Sequence, residues 1–379
     1  YVTVSAVYDP GTPIIITFLS IRLFIPLAVV LTELILLLGL AFVLKCWEMG
    51  SNDKSRRVAS AQEILALVKA GGYRDEASGE WVDVSSVVEA AVAGSRTFTS
   101  DETAALLDQL SGEYPRSTAA SVRSRSGGPR ITVSLESTQE AACRLTQEVQ
   151  QDRAAAAAVP GAVPPTGFDE VAVLNFASAR SPGGGGFLTG ALAQEEDISR
   201  CSALYHCLTT KPQEAYYREN ERCVKAGDLR YTNSMIYSPR VPWFRVNSYD
   251  PLLAVPFCTG IITAPAPNAG AARRNKTELE ISTSLLRRCG MVLGLAKHFG
   301  HRHLVLGAWG CGVFKNDPEL VADSFAYWLA QPEFHDWFDR VHFAIYDNTK
   351  EKRTLKAFQL RMTEPLRVVA PDTGTNKPY

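Results

Sequence analysis

Between Asn175 and Asp197 the chain places four consecutive glycines, Gly183–Gly186, seven residues ahead of the triplet Gln194-Glu195-Glu196. Glycine lets a backbone approach a ligand closely, and successive free N–H groups can cradle phosphate or ribose oxygens. The run lacks the Lys-Ser/Thr ending of a P-loop and does not match the spacing of a dinucleotide fingerprint. Two carboxylates beside such a loop supply what glycosidic cleavage requires, a proton for the leaving oxygen and negative charge near an oxocarbenium-like centre. The alternative is an ordinary acidic helix start, favourable to the helix dipole. Standing alone the pair fits that alternative; beside the loop it points to chemistry.

These residues need a strand before them and a helix after. Val171–Phe176 (VAVLNF) reads as a buried strand leading into the loop, and Gln194-Glu195-Glu196 lies on the helix that follows. Val255–Ala264, Leu304–Ala308 and Val341–Tyr346 are further apolar runs of strand length, with a helix over Leu279–His298. Upstream, helical spacing runs through Ala59–Gly72, Val84–Ala93 and Thr103–Leu110, and Ser117–Arg130 reads as a polar loop. Ile131–Leu135 alternates like a strand, after which Ser137 and Glu140 form a capping box. The Ala154–Ala158 run and Pro160–Thr166 read as a low-complexity surface connection. Strands alternating with helices predict a three-layer α/β/α sandwich.

The run NFASARSPGGGGFLTGALAQEE, from Asn175 to Glu196, resembles the signature of microbial-type poly(ADP-ribose) glycohydrolases. Tyr237–Pro242, Ile262–Asn268 and Leu306–Asn316 resemble that family's other blocks, in the same order. The resemblance spans about Arg56 to Asp347 and implies a macrodomain-like fold with a mixed central sheet and an N-terminal helical extension. It divides the chain into an apolar segment (1–50), the extension (51–128), the catalytic domain (129–360) and a polar tail (361–379). By resemblance, Glu196 is the catalytic acid/base and Glu195 holds the hydroxyls of the ribose being cleaved. Asn175 contacts that ribose, Gln194 belongs to the substrate site, and Gly184, Gly185 and Gly186 line the loop beneath. Gly310, Gly312, Val313 and Asn316 belong to a second loop around the diphosphate, with Phe314 packing on the terminal ribose. Gly183 and Lys315 depart from the pattern and put loop geometry in question more than chemistry.

The implied activity is hydrolysis of the ribose–ribose O-glycosidic bond of poly(ADP-ribose), releasing ADP-ribose without metal or organic cofactor. It would reverse ADP-ribosylation, as in a DNA damage response. Two rival readings are an ADP-ribose reader without turnover and a mono-ADP-ribosyl protein hydrolase. The partners implied are poly(ADP-ribose) and ADP-ribosylated proteins, without sequence-specific nucleic-acid binding, and a monomer is expected.

Composition bounds these readings. The 379 residues carry 39 Lys+Arg against 40 Asp+Glu, a net charge of -1, so no global basic field attracts an anion and local donors must hold one. Eight cysteines without a C-x-x-C pair read as reduced thiols of an intracellular protein, in cytoplasm or nucleus, and Cys201 and Cys207 as packing residues. His298, His301 and His303 read as a helix ending at Gly300 rather than as a metal cluster. Leu23–Leu44 is long enough to cross a bilayer and holds one charge, Glu33. Lys45, Lys54, Arg56 and Arg57 would keep the catalytic domain of an anchored chain cytosolic. Glu33 and Pro26 favour instead a buried or mistranslated segment.

Overall fold

The computed structural model describes residues 53–113, 128–158 and 171–363. The first part forms α1 (53–70), β1 (Gly72–Arg74), β2 (Trp81–Asp83), α2 (Ser85–Gly94), β3 (Arg96–Phe98) and α3 (Ser100–Glu113). The second forms β4 (Arg130–Ser134) and α4 (Thr138–Ala157). The third opens with β5 (Val171–Phe176), α5 (Gln194–Cys201), α6 (Leu204–Leu208), α7 (Glu214–Lys225), β6 (Met235–Trp243) and β7 (Phe257–Ala264). It closes with α8 (Ala269–Ala272), α9 (Glu278–His298), β8 (His303–Gly307), α10 (Pro318–Leu329), α11 (Pro332–His335), β9 (Arg340–Ala344) and α12 (Arg353–Thr363).

Local signals fix several boundaries. Gly71, at φ 78°, ends α1 where a side chain would be strained. Thr277 and Glu280 close a capping box on α9, and Asp317 caps α10 with Pro318 in its first turn. Ser137 and Glu140 exchange hydrogen bonds ahead of α4, as their spacing predicts. One expectation is corrected: Ala154–Ala157 is the last turn of α4 rather than a connection, as suits the strongest helix former.

Seven strands form one mixed sheet in the order β3-β6-β7-β5-β8-β9-β4. The β7, β5, β8, β9 and β4 neighbours are parallel, whereas β6 is antiparallel to both β3 and β7. The segment expected as a helical extension therefore hands the sheet its edge strand β3. In β5, Ala172 and Leu174 face one apolar layer, with α3, α9, α10 and α12. Val171 and Val173 face the other, with α1, α2, α4 and α6. A strand covered on both faces reads as a continuous apolar run, which is why VAVL signals it so plainly.

The parallel strands β5, β7 and β8 end at Phe176, Ala264 and Gly307, and the loops beyond them form the neighbourhood in which parallel sheets bind ligands. Leu23–Leu44, Pro160–Thr166, most of Ser117–Arg130 and the tail beyond Thr363 lie outside the described residues. Among the described residues no helix is long and apolar enough to cross a membrane.

Candidate active site

The two glutamates begin α5 and part company at once, because successive helical residues point about 100° apart. Glu195 turns to the end of β5, where Oε2 accepts from the Ser178 backbone N–H at 2.6 Å and Oε1 from Asn175 Nδ2 at 3.3 Å. Glu196 turns over the glycines, and its Oε1 accepts from the Gly186 N–H at 3.2 Å. Both are buried. Burial lifts Glu195 to about 8 against the N–H donors that favour its charge, and Glu196 adds repulsion. Burial also raises Glu196, with Asp197, rather than Glu195, as the carboxylate that adds to it.

The glycine run is a set of left-handed residues: Gly183, Gly184 and Gly185 have φ of 64°, 80° and 81°. A Cβ on Gly184 would stand 2.2 Å from Glu196 Cδ, and one on Gly186 would stand 2.3 Å from Ala191 Cβ. The loop thus folds directly under the carboxylate, as closely as absent side chains allow. Gly183, the extra glycine, sits over Tyr205, whose ring stacks on Phe187 at 4.6 Å. Gln194 is a bracket: it accepts from the Phe176 N–H and donates to the Leu174 carbonyl and to Thr138 Oγ1. Its amide is committed to anchoring α5 on β5.

The second loop follows β8. Asn316 donates to the carbonyls of Pro267 and Gly310, and Gly310, at φ 72°, would carry a Cβ 2.4 Å from that amide. Gly312 is open and Val313 exposed at the tip, whereas Phe314 packs against Tyr231 with ring centroids 5.7 Å apart. Lys315 holds the left-handed φ of 58° and offers its carbonyl to Arg273.

Three buried oxygens of these candidate residues lack a hydrogen-bond partner among the described residues: Asn175 Oδ1, Glu196 Oε2 and Asn316 Oδ1. Each such atom costs about 1–3 kcal/mol, so each calls for a polar partner.

Several supports carry no sequence signal. Asp197 accepts from Ser248 Oγ, from Arg200 and from Gln139, which locks the register of α5. Thr263 accepts from Asn175. Arg288, buried in apolar α9, donates to Asn233 and to the carbonyls of Arg230, Tyr231 and Pro265, and so sets Tyr231 beside Phe314. Of the three histidines, His301 shares a hydrogen bond with the Tyr237 hydroxyl at 2.8 Å, and burial lowers His303 to about 4. Cys201 and Cys207 are fully buried packing residues.

A cleft of about 250 Å³ lies elsewhere, along β4, β9 and α4. Several of its polar groups pair with one another: His342 bonds to Thr132, Ser134 and Glu136, and Arg144 to Glu136 and Glu148. No residue of the glutamate site lines it.

The chain as a whole is similar to known proteins. The family model for the microbial-type PARG catalytic domain matches residues 61–246. The structure of poly(ADP-ribose) glycohydrolase from Thermomonospora curvata is 39% identical with a TM-score of 0.67, over 81% of this chain and 99% of that one. The same enzyme bound to the inhibitor ADP-HPD gives 38% and 0.65, with the same coverage. The Deinococcus radiodurans enzyme in complex with ADP-ribose is 39% identical with a TM-score of 0.59, over 73% of this chain and 97% of that one. No curated protein matches the sequence. Identity of this order across nearly the whole of the Thermomonospora chain makes this chain a member of the microbial-type poly(ADP-ribose) glycohydrolase family.

Proposed function

We propose that the chain hydrolyses the α(1″–2′) ribosyl bond of poly(ADP-ribose) and releases ADP-ribose, with Glu196 as proton carrier. The observation that carries this assignment is the position of Glu196: one oxygen is pinned by Gly186, and the other is buried without a partner beside Gly184. Protonated Glu196 gives its proton to the departing 2′ oxygen as the C1″–O2′ bond breaks. Water then attacks C1″, and the carboxylate takes the proton that the water loses.

Glu195 and Asn175 receive the hydroxyls of the ribose being cleaved. Glu195 accepts from Asn175, Ser178 and the Gly183 backbone, and its two oxygens keep lone-pair capacity for a hydroxyl. Hydroxyls donating to Glu195 favour its charged form, whereas burial favours the protonated form of Glu196. Gly310–Asn316 takes the diphosphate on backbone N–H groups, with Phe314 against the ribose.

The test is product analysis. The enzyme should release ADP-ribose from purified poly(ADP-ribose), and a mono-ADP-ribosylated protein should be a poor substrate. Binding without release would instead identify a reader; preferential release from the mono-modified protein would identify a mono-ADP-ribosyl hydrolase.

A further inference from the structure

The polymer that leaves Glu196 carries a nucleotide of its own, with adenine and diphosphate, and the loops already described account for only the ADP-ribose being released. Beyond Gly186 the chain turns back on itself, with the Ala191 N–H donating to the Gly186 carbonyl. This turn exposes Leu188 and Leu192, and α1 lies against its end. Arg57 Nε donates to the Gly190 carbonyl at 2.8 Å, and a Cβ on Gly190 would meet the Lys54 carbonyl at 2.9 Å.

The other terminus of Arg57 donates to the Tyr249 hydroxyl at 2.8 Å. Tyr249 adjoins Ser248, which is bonded to Asp197 beside the catalytic glutamate. Tyr249 is thereby held from two sides, by the far end of the glycine turn and by the catalytic helix. Tyr249 is 39% exposed, and the guanidinium of the exposed Arg56 lies 4.7 Å from its ring centroid. Lys54 is exposed one turn away, and Asp53 and Asp250 are the exposed acids of the same stretch, which leaves the cations level with them before Arg57 is added. The second loop packs instead on Tyr231, Gly270 and Arg273, so the ledge and that loop rest on different parts of the structure.

We infer that Arg56 and Tyr249, with Lys54, form a ledge for the nucleotide on the departing side of the scissile bond. This inference rests on the reading of Glu196 given above. A guanidinium laid over a tyrosine ring is a stacking platform for a purine, and base stacking of this kind tolerates any approach by the polymer. The same cations meet the diphosphate that follows. Arg57 positions the ledge and does not touch the substrate.

The experiment compares two ligands on the Glu196→Gln protein, which holds polymer without consuming it: ADP-ribose, and a purified short oligomer of ADP-ribose. The oligomer should bind more tightly than ADP-ribose. Arg56→Ala and Tyr249→Ala should each weaken oligomer binding by about tenfold, consistent with the loss of one stacked base. ADP-ribose affinity should stay unchanged, and Arg56→Ala should make oligomer binding less sensitive to salt. Unchanged oligomer affinity in both variants, or equal weakening of both ligands, overturns the ledge. If the parent protein binds no ADP-ribose at all, the reading of the glutamate site fails first, and the ledge with it.

Discussion

Glu195 and Glu196 are neighbours in sequence with different surroundings: one is tied to Asn175 and Ser178, the other lies over Gly184 with an oxygen unpaired. Their chemistry was legible because a glycine run and a Gln-Glu-Glu triplet are short, local and specific. The source of their proton affinity was not. For both residues burial is the leading cause, and burial is set by residues far away in the chain. Gln194 teaches the same lesson, since only the folded structure shows its amide bonded to β5 and Thr138. Glu195 also makes a prediction about stability. Its pKa rises from 4.5 to about 8 on folding, so the folded state holds the proton longer. Its contribution is most favourable below the unfolded value and is lost as pH climbs through the folded one. Glu195→Gln removes that loss, so the variant should gain stability relative to wild type across this window, by at most about 1.4 kcal/mol per pH unit. Urea unfolding of both proteins over the window checks it; a difference independent of pH would show that Glu195 keeps its ordinary affinity.

The elements divide by how much of their neighbourhood they carry with them. β5, β7, β8 and β9 announce themselves as apolar runs because the sheet is covered on both faces. β3, at the edge and three residues long, has no such run, and only its pairing with Met235–Tyr237 makes it a strand. The two-stranded β1–β2 hairpin is equally silent, since its register is set by tertiary position. α9 shows how a local rule yields to packing. Gly290 lies in its middle, where alanine would be favoured by propensity, by about 1 kcal/mol. A Cβ there would stand 2.5 Å from the Trp328 ring of α10, whose indole N–H is bonded to the Leu286 carbonyl. Gly290→Ala should therefore destabilise the protein, by roughly 1–3 kcal/mol, because overpacking outweighs propensity. Thermal unfolding measures it, and a higher melting temperature would show that α9 and α10 separate freely.

At the scale of the whole molecule, one sheet gathers residues that are distant in sequence. Asn175, Glu196 and Asn316 come from three segments, and parallel neighbours deliver the loops that follow β5 and β8 to the same end of the sheet. The family blocks in the sequence located those loops. The scaffolding behind them, Arg288 under Tyr231 and the Asp197–Ser248–Arg200 set behind α5, is long-range and left no local pattern. The central claim is that this gathering makes Glu196 the proton carrier rather than a binding contact. Glu196→Gln keeps the size and hydrogen-bonding capacity of the side chain and cannot transfer the proton. The measurement is calorimetric ADP-ribose affinity alongside ADP-ribose release from purified polymer, on wild type and variant. We predict near-unchanged affinity and release reduced by about 10²–10⁴-fold; release close to wild type, or affinity lost along with it, would contradict the account.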